Sequence, residues 1–101
     1  MMCSHVSDLV VSLAGRDKGE FLLVLREDEQ YLWLANGRTR RAEKPKRKKR
    51  RHTAFEAHCD ARTRDKLLEM GRLTNSDIRK ALSIWADENQ NTDQERESEH
   101  G

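Results

Sequence analysis

The sequence predicts a small all-β barrel with a short C-terminal helical extension and an acidic tail, on three observations. The chain has 101 residues, room for one domain and not for two. Of its 19 Leu, Ile, Val and Phe residues, 12 fall within residues 6–34, gathered into strand-length runs. Turn signals interrupt those runs at intervals of roughly 8–12 residues, the rhythm of small antiparallel barrels.

The first run alternates Leu9, Val11 and Leu13 with Val10, Ser12 and Ala14. It stops at Gly15-Arg16-Asp17-Lys18-Gly19, whose glycines permit a tight polar loop. The second run carries Phe21, Leu22, Leu23, Val24 and Leu25 and ends at Glu27-Asp28-Glu29. The third brings Tyr31, Leu32, Trp33 and Leu34 directly to Asn36-Gly37. Asn-Gly tolerates the positive φ of a type I′ turn, so it predicts a tight hairpin with its return strand over residues 38–42.

Runs 21–25 and 31–34 are apolar on both faces. One face fills the barrel and the other needs cover. The cover is expected where Leu73-Thr74-Asn75-Ser76-Asp77 reads as a helix start, with Thr74 as N-cap, Asp77 completing a variant capping box, and Leu73 and Ile78 forming a hydrophobic staple. Ile78, Ala81, Leu82 and Trp85 follow at i, i+3, i+4 and i+7, one amphipathic stripe. A shorter helical turn is expected over 64–70, stopped by Gly71. Tyr31 and Trp33 share a strand face; packing against a helix, with Trp85 as partner, is favoured over stacking on bases. After Glu88 no large apolar residue remains, and 89–101 is expected to be a disordered acidic tail. The division is 5–55 for the barrel, 56–88 for the helical extension and 89–101 for the tail.

The net charge of +2 conceals strong segregation. Residues 38–52 carry +9, while 1–37 carry −3 and 87–101 carry −5. Polyanions respond to local potential within a Debye length of about 10 Å, so the +9 block is the main functional signal. It comprises Arg38, Arg40, Arg41, Lys44, Lys46, Arg47, Lys48, Lys49, Arg50 and Arg51. Pro45 disfavours helix there, which predicts an extended loop able to follow a groove. In the glycine loop, Gly15 and Gly19 let the backbone approach a phosphate while Arg16 and Lys18 supply charge-assisted donors. The plain alternatives are an ordinary surface loop, a solvated basic run, or a nuclear localisation signal.

Other classes are disfavoured. Cys3 and Cys59 form no C-x-x-C pair, which suits a reducing compartment and a cytoplasmic protein. The longest apolar run, 21–25, is far short of the roughly 20 residues of a membrane helix. Residues 6–15 contain Asp8 and lack a basic leader, unlike a signal peptide. His5, His58, Cys3 and Cys59 lack zinc spacing, so no metal is expected. No nucleophile-and-base pattern or P-loop is present, so neither enzymatic activity nor a cofactor or small-molecule substrate is expected.

Residues 10–53, with Ser12-Leu13-Ala14-Gly15-Arg16-Asp17-Lys18-Gly19, Asn36-Gly37-Arg38 and Lys44-Pro45-Lys46-Arg47-Lys48 in that order, resemble small bacterial KOW-domain RNA-binding proteins. Those are themselves similar to a large-subunit ribosomal protein of archaea and eukaryotes. The resemblance covers a little under half the chain and places the KOW signature glycine at Gly19. It implies an SH3-like barrel, ribosomal RNA as partner, and RNA contact by Gly15, Arg16, Lys18, Gly19 and the ten basic residues above. Two other readings stay open at this stage: a protein-interaction module docking on RNA polymerase or a ribosomal protein, and a DNA-binding accessory protein.

Overall fold

The computed structural model describes residues 5–100, with side chains over 5–89. Five strands are antiparallel throughout: β1 (Asp8–Ser12), β2 (Phe21–Glu27), β3 (Tyr31–Ala35), β4 (Lys46–Lys49) and β5 (Thr53–His58). They lie in the order β4-β3-β2-β1-β5. A 3-10 turn, Arg50–His52, joins the two edge strands, and helices α1 (Ala61–Met70) and α2 (Asn75–His100) follow.

The all-β expectation is therefore corrected: this is a mixed α/β fold, a five-stranded sheet with two helices. The reason lies in the core. Alternation sends Leu32 and Leu34 to one face of β3, where they join Val10, Leu22 and Val24 in one buried cluster. Leu9, Leu23 and Ala35 face the other way and form a second cluster with Leu67, Leu73, Ile78 and Ala81 of the helical half. The helical half supplies four of the seven buried residues of this second cluster, and each fully buried Leu or Ile contributes about 1.5–3 kcal/mol, so it is no mere extension. The sheet is also not a closed barrel, since among the described residues no pairing joins β4 to β5.

Local signals that act over a few residues form as their chemistry dictates. The Asp77 backbone N–H donates to Thr74 Oγ1 at 3.1 Å and the Thr74 N–H donates to Asp77 Oδ2 at 3.0 Å, closing the capping box. Asp60 caps α1 by accepting from the Thr63 N–H at 3.1 Å, and Gly71 ends it at φ +76°. Ile78 and Ala81 are buried, and Leu82 and Trp85 pack partly buried against the same cluster. The backbone of α2 runs to His100. The side chains of the acidic stretch expected to be a disordered tail, from residue 90 on, and Gly101 itself lie outside the described residues.

The tight hairpin at Asn36-Gly37 does not form. The return strand is β4, not 38–42, and residues 36–45 make a loop. Asn36 Oδ1 accepts from the N–H groups of Arg38 and Arg40, both at 2.9 Å, a side-chain turn that competes with a two-residue hairpin. The far side of the loop is held by α2. The Arg79 guanidinium donates to the Gly37 carbonyl at 2.7 Å, Asn75 Oδ1 accepts from the Ala42 N–H at 2.7 Å, and Asn75 Nδ2 donates to Glu43.

Candidate nucleic-acid interface

The glycine loop is built around an inward-turned acid. Gly15 and Gly19 sit at φ +87° and +89°, and between them the chain closes on itself, with Gly19 N–H donating to Ser12 O at 2.8 Å. Asp17, midway, points into the molecule. Its Oδ1 accepts from Ser12 Oγ at 2.8 Å and from Lys48 Nζ at 3.0 Å, and that ammonium also donates to the Ala14 carbonyl at 2.7 Å. The side chains of Lys48 and Asp17 are only 7% and 4% exposed. Asp17 Oδ2 is buried with no hydrogen-bond partner among the described residues. Arg16 and Lys18, on either side of Asp17, are exposed. The loop's single acid is thus neutralised inside, and its outer surface carries positive charge only.

Burial pushes the Asp17 carboxyl up, but hydrogen bonds from Lys48 and Ser12 and the charges of Lys48 and Lys46 outweigh it and hold the group below its ordinary value. The sign follows. A depressed carboxylate stabilises the fold above about pH 4, its unfolded value, and that contribution is lost as pH falls through the lower folded value. The urea midpoint is therefore expected to fall with acidification below about pH 4, and Asp17→Asn to flatten that fall. An identical acid profile in the variant would remove Asp17 from the account.

The basic segment is a loop only over 38–45, not the extended loop throughout that its proline suggested. Residues 46–49 are an edge strand, and the pleat divides them. Lys46 and Lys48 pair with Leu34 and Leu32 on the face of the first cluster, while Arg47 and Lys49 pair with Trp33 and Tyr31 on the opposite face. Lys48, expected to contact RNA, is instead enclosed with Asp17. Arg50 Nη2 donates to Glu27 Oε2 at 2.7 Å and its Nε to the Asp28 carbonyl at 2.8 Å. Arg41 meets Glu43 at 3.1 Å. The side chains of Arg38, Arg40, Lys44, Lys46, Lys49 and Arg51 make no hydrogen bond or ion pair among the described residues, and they remain available alongside Arg16 and Lys18.

Two parts of the segment flank the glycine loop. Lys48 ties β4 to it, and the His52 carbonyl accepts from the N–H of Leu13, just before the loop, at 2.8 Å. A shallow depression beside the 3-10 turn is lined by Gln30, Lys49, Arg50 and Arg51. The Asp28 carboxylate that shapes the neighbouring turn is held below its usual range by the N–H groups of Tyr31 and Gln30.

No protein-family model matches the chain, nor does any curated protein.

The expected aromatic partnership is rearranged. Trp85 packs on Phe21, ring centroids 4.6 Å apart, and not on Tyr31 or Trp33. Tyr31 and Trp33 lie under guanidiniums, Arg47 at 4.6 Å and Arg26 at 4.4 Å from the ring centroids. Arg26 was not distinguishable in sequence, because its place opposite Trp33 depends on the bulge between Val24 and Arg26. The buried role of Asp17 had a faint signal, a lone acid between two cations five residues after a strand serine.

Of the residues weighed as zinc ligands, Cys3 lies outside the described residues. His5 and His58 both meet Asp8, at 3.1 and 2.9 Å, and burial pushes the half-buried Cys59 thiol up. Among the described residues no group of three or more His, Cys, Asp and Glu is placed to hold a metal, and no helix is long and apolar enough to cross a membrane.

Proposed function

We propose that this chain is a cytoplasmic RNA-binding protein that associates with the ribosome and contacts structured ribosomal RNA through the glycine loop and the solvent-facing part of the basic segment. One observation carries the reading. Asp17 is turned inward onto Lys48, so Arg16 and Lys18 stand on a rigid loop with no acid between them at the surface. A preorganised cationic loop loses little entropy on meeting phosphates. The flanking cations of residues 38–51 enlarge the same positive rim, and the resemblance of 10–53 to KOW-domain proteins supplies RNA as the polyanion. The mechanism is charge and shape, because the bases of duplex RNA are hidden in a deep, narrow major groove.

Salt dependence tests it. Binding of a structured ribosomal RNA fragment is expected to weaken steeply with KCl, and Arg16→Gln with Lys18→Gln to reduce the slope of log K against log salt by about 1.4–1.8, two lost phosphate contacts. Affinity for duplex DNA equal to that for RNA, or an unchanged slope in the variant, removes the reading. Lys48→Gln is not a substitute for this test, since Lys48 belongs to the scaffold.

A further inference from the structure

We infer that the bound RNA inserts one unpaired base into the cleft beside Trp33, a conclusion that rests on the RNA-binding reading and adds to it a second, base-contacting site. The cleft lies between the sheet and the turn that joins α1 to α2, and measures about 270 Å³. That is close to the lower end of small-ligand clefts, roughly 300 Å³. Its walls are the Trp33 indole with Leu25, Pro45 and Leu73, its cations are Arg26 and Arg72, and no carboxylate lines it. Flat apolar walls accept a ring, and guanidiniums unopposed by acid accept an anion. Together they describe a nucleotide: a planar base with its phosphate.

Two further placements favour RNA as the source of that nucleotide. Trp33 pairs directly with Arg47 of β4, so the cleft adjoins the basic strand. Tyr31, two residues along β3 on the same face, lies under Arg47 and offers a second ring beside the first. The Trp33 ring already carries a planar group, the Arg26 guanidinium at 4.4 Å. A base takes that place over the indole, and the displaced guanidinium meets the phosphate. The cleft therefore selects for a nucleotide outside a duplex, whereas the glycine loop and its rim read phosphates regardless of pairing.

The chain has two tryptophans, so Trp85→Phe, which preserves a ring against Phe21, leaves Trp33 as the only indole reporter. Two probes are titrated at one salt concentration: a blunt RNA duplex, and the same duplex with a single unpaired nucleotide. The bulged duplex is expected to bind about tenfold more tightly, within the range for one base stacked on an aromatic ring, and to quench Trp33 emission where the blunt duplex does not. Trp33→Leu is expected to erase the preference. Equal affinities with unmoved emission overturn the cleft inference and leave RNA binding standing. Failure to bind either duplex at low salt overturns both. The emission arm keeps Trp33 in place, so it decides the matter even where Trp33→Leu does not fold.

Discussion

Gly37→Ala is expected to destabilise the fold by about 2–5 kcal/mol, combining about 1–2 kcal/mol for forcing an L residue into the left-handed region with about 1–3 kcal/mol for overpacking. The residue sits at φ +76°, and a Cβ there would lie 2.6 Å from the Asn75 carbonyl oxygen, 2.9 Å from Arg79 Cγ and 3.3 Å from the Arg79 backbone nitrogen. Two of those three atoms are backbone at the start of α2, which can give way only by moving the helix. Moving it pulls Ile78 and Ala81 from the core and releases the Asn75 bond to the Ala42 N–H. Gly71 is the internal control. It has the same φ of +76° with nothing within 4 Å of its missing Cβ, so Gly71→Ala is expected to cost only the conformational part, about 1–2 kcal/mol. Urea unfolding of the two variants measures the difference. Equal midpoints would mean that close approach to α2 contributes nothing.

Lys48→Met is the second large effect, about 3–5 kcal/mol of lost stability, the usual result of removing one partner from a buried ion pair. It leaves the Asp17 carboxylate enclosed with Ser12 as its one remaining donor, and deprives the Ala14 carbonyl of a bond. Adding Asp17→Leu to that variant is expected to restore most of the loss, because an apolar pair of similar volume replaces two desolvated charges. The doubly substituted protein separates scaffold from function. It keeps Arg16 and Lys18 at the surface but loosens the loop that holds them, so weakened RNA affinity at near-native stability would assign Lys48 a positioning role. Lys44→Met, at an exposed site nearby, is expected to stay within about 0.5 kcal/mol. A Lys48→Met variant as mild as that one would contradict the buried pair.

These two residues mark where the sequence stops being informative. Gly37 was recognisable as a glycine needing positive φ, and it has one; what it approaches lies beyond the reach of a turn rule. Its carbonyl is bound by Arg79, 42 residues away. Lys48 stands among ten basic residues with no compositional mark to single it out. Its partner Asp17 is 31 residues distant, and only the register that sets Lys48 opposite Leu32 turns its ammonium inward. A one-residue slip would have buried Arg47 or Lys49 in its place. The hairpin prediction failed for a related reason: Asn36 has a side chain that binds its own loop, and α2 rewards that loop with contacts a two-residue turn could not make.

By itself the chain determined what neighbouring residues settle among themselves. The apolar runs are strands, Gly15 and Gly19 bracket a tight loop, and Thr74 and Asp77 start a helix, since alternation, positive φ and capping are decided within a few bonds of the residue concerned. Tertiary structure alone decided that β4 splits the basic run between two faces, and that one lysine of that run is structural while its neighbours meet solvent. Those outcomes depend on strand pairing and on burial between distant segments, where desolvation makes the same side chain either a buried partner or a surface charge.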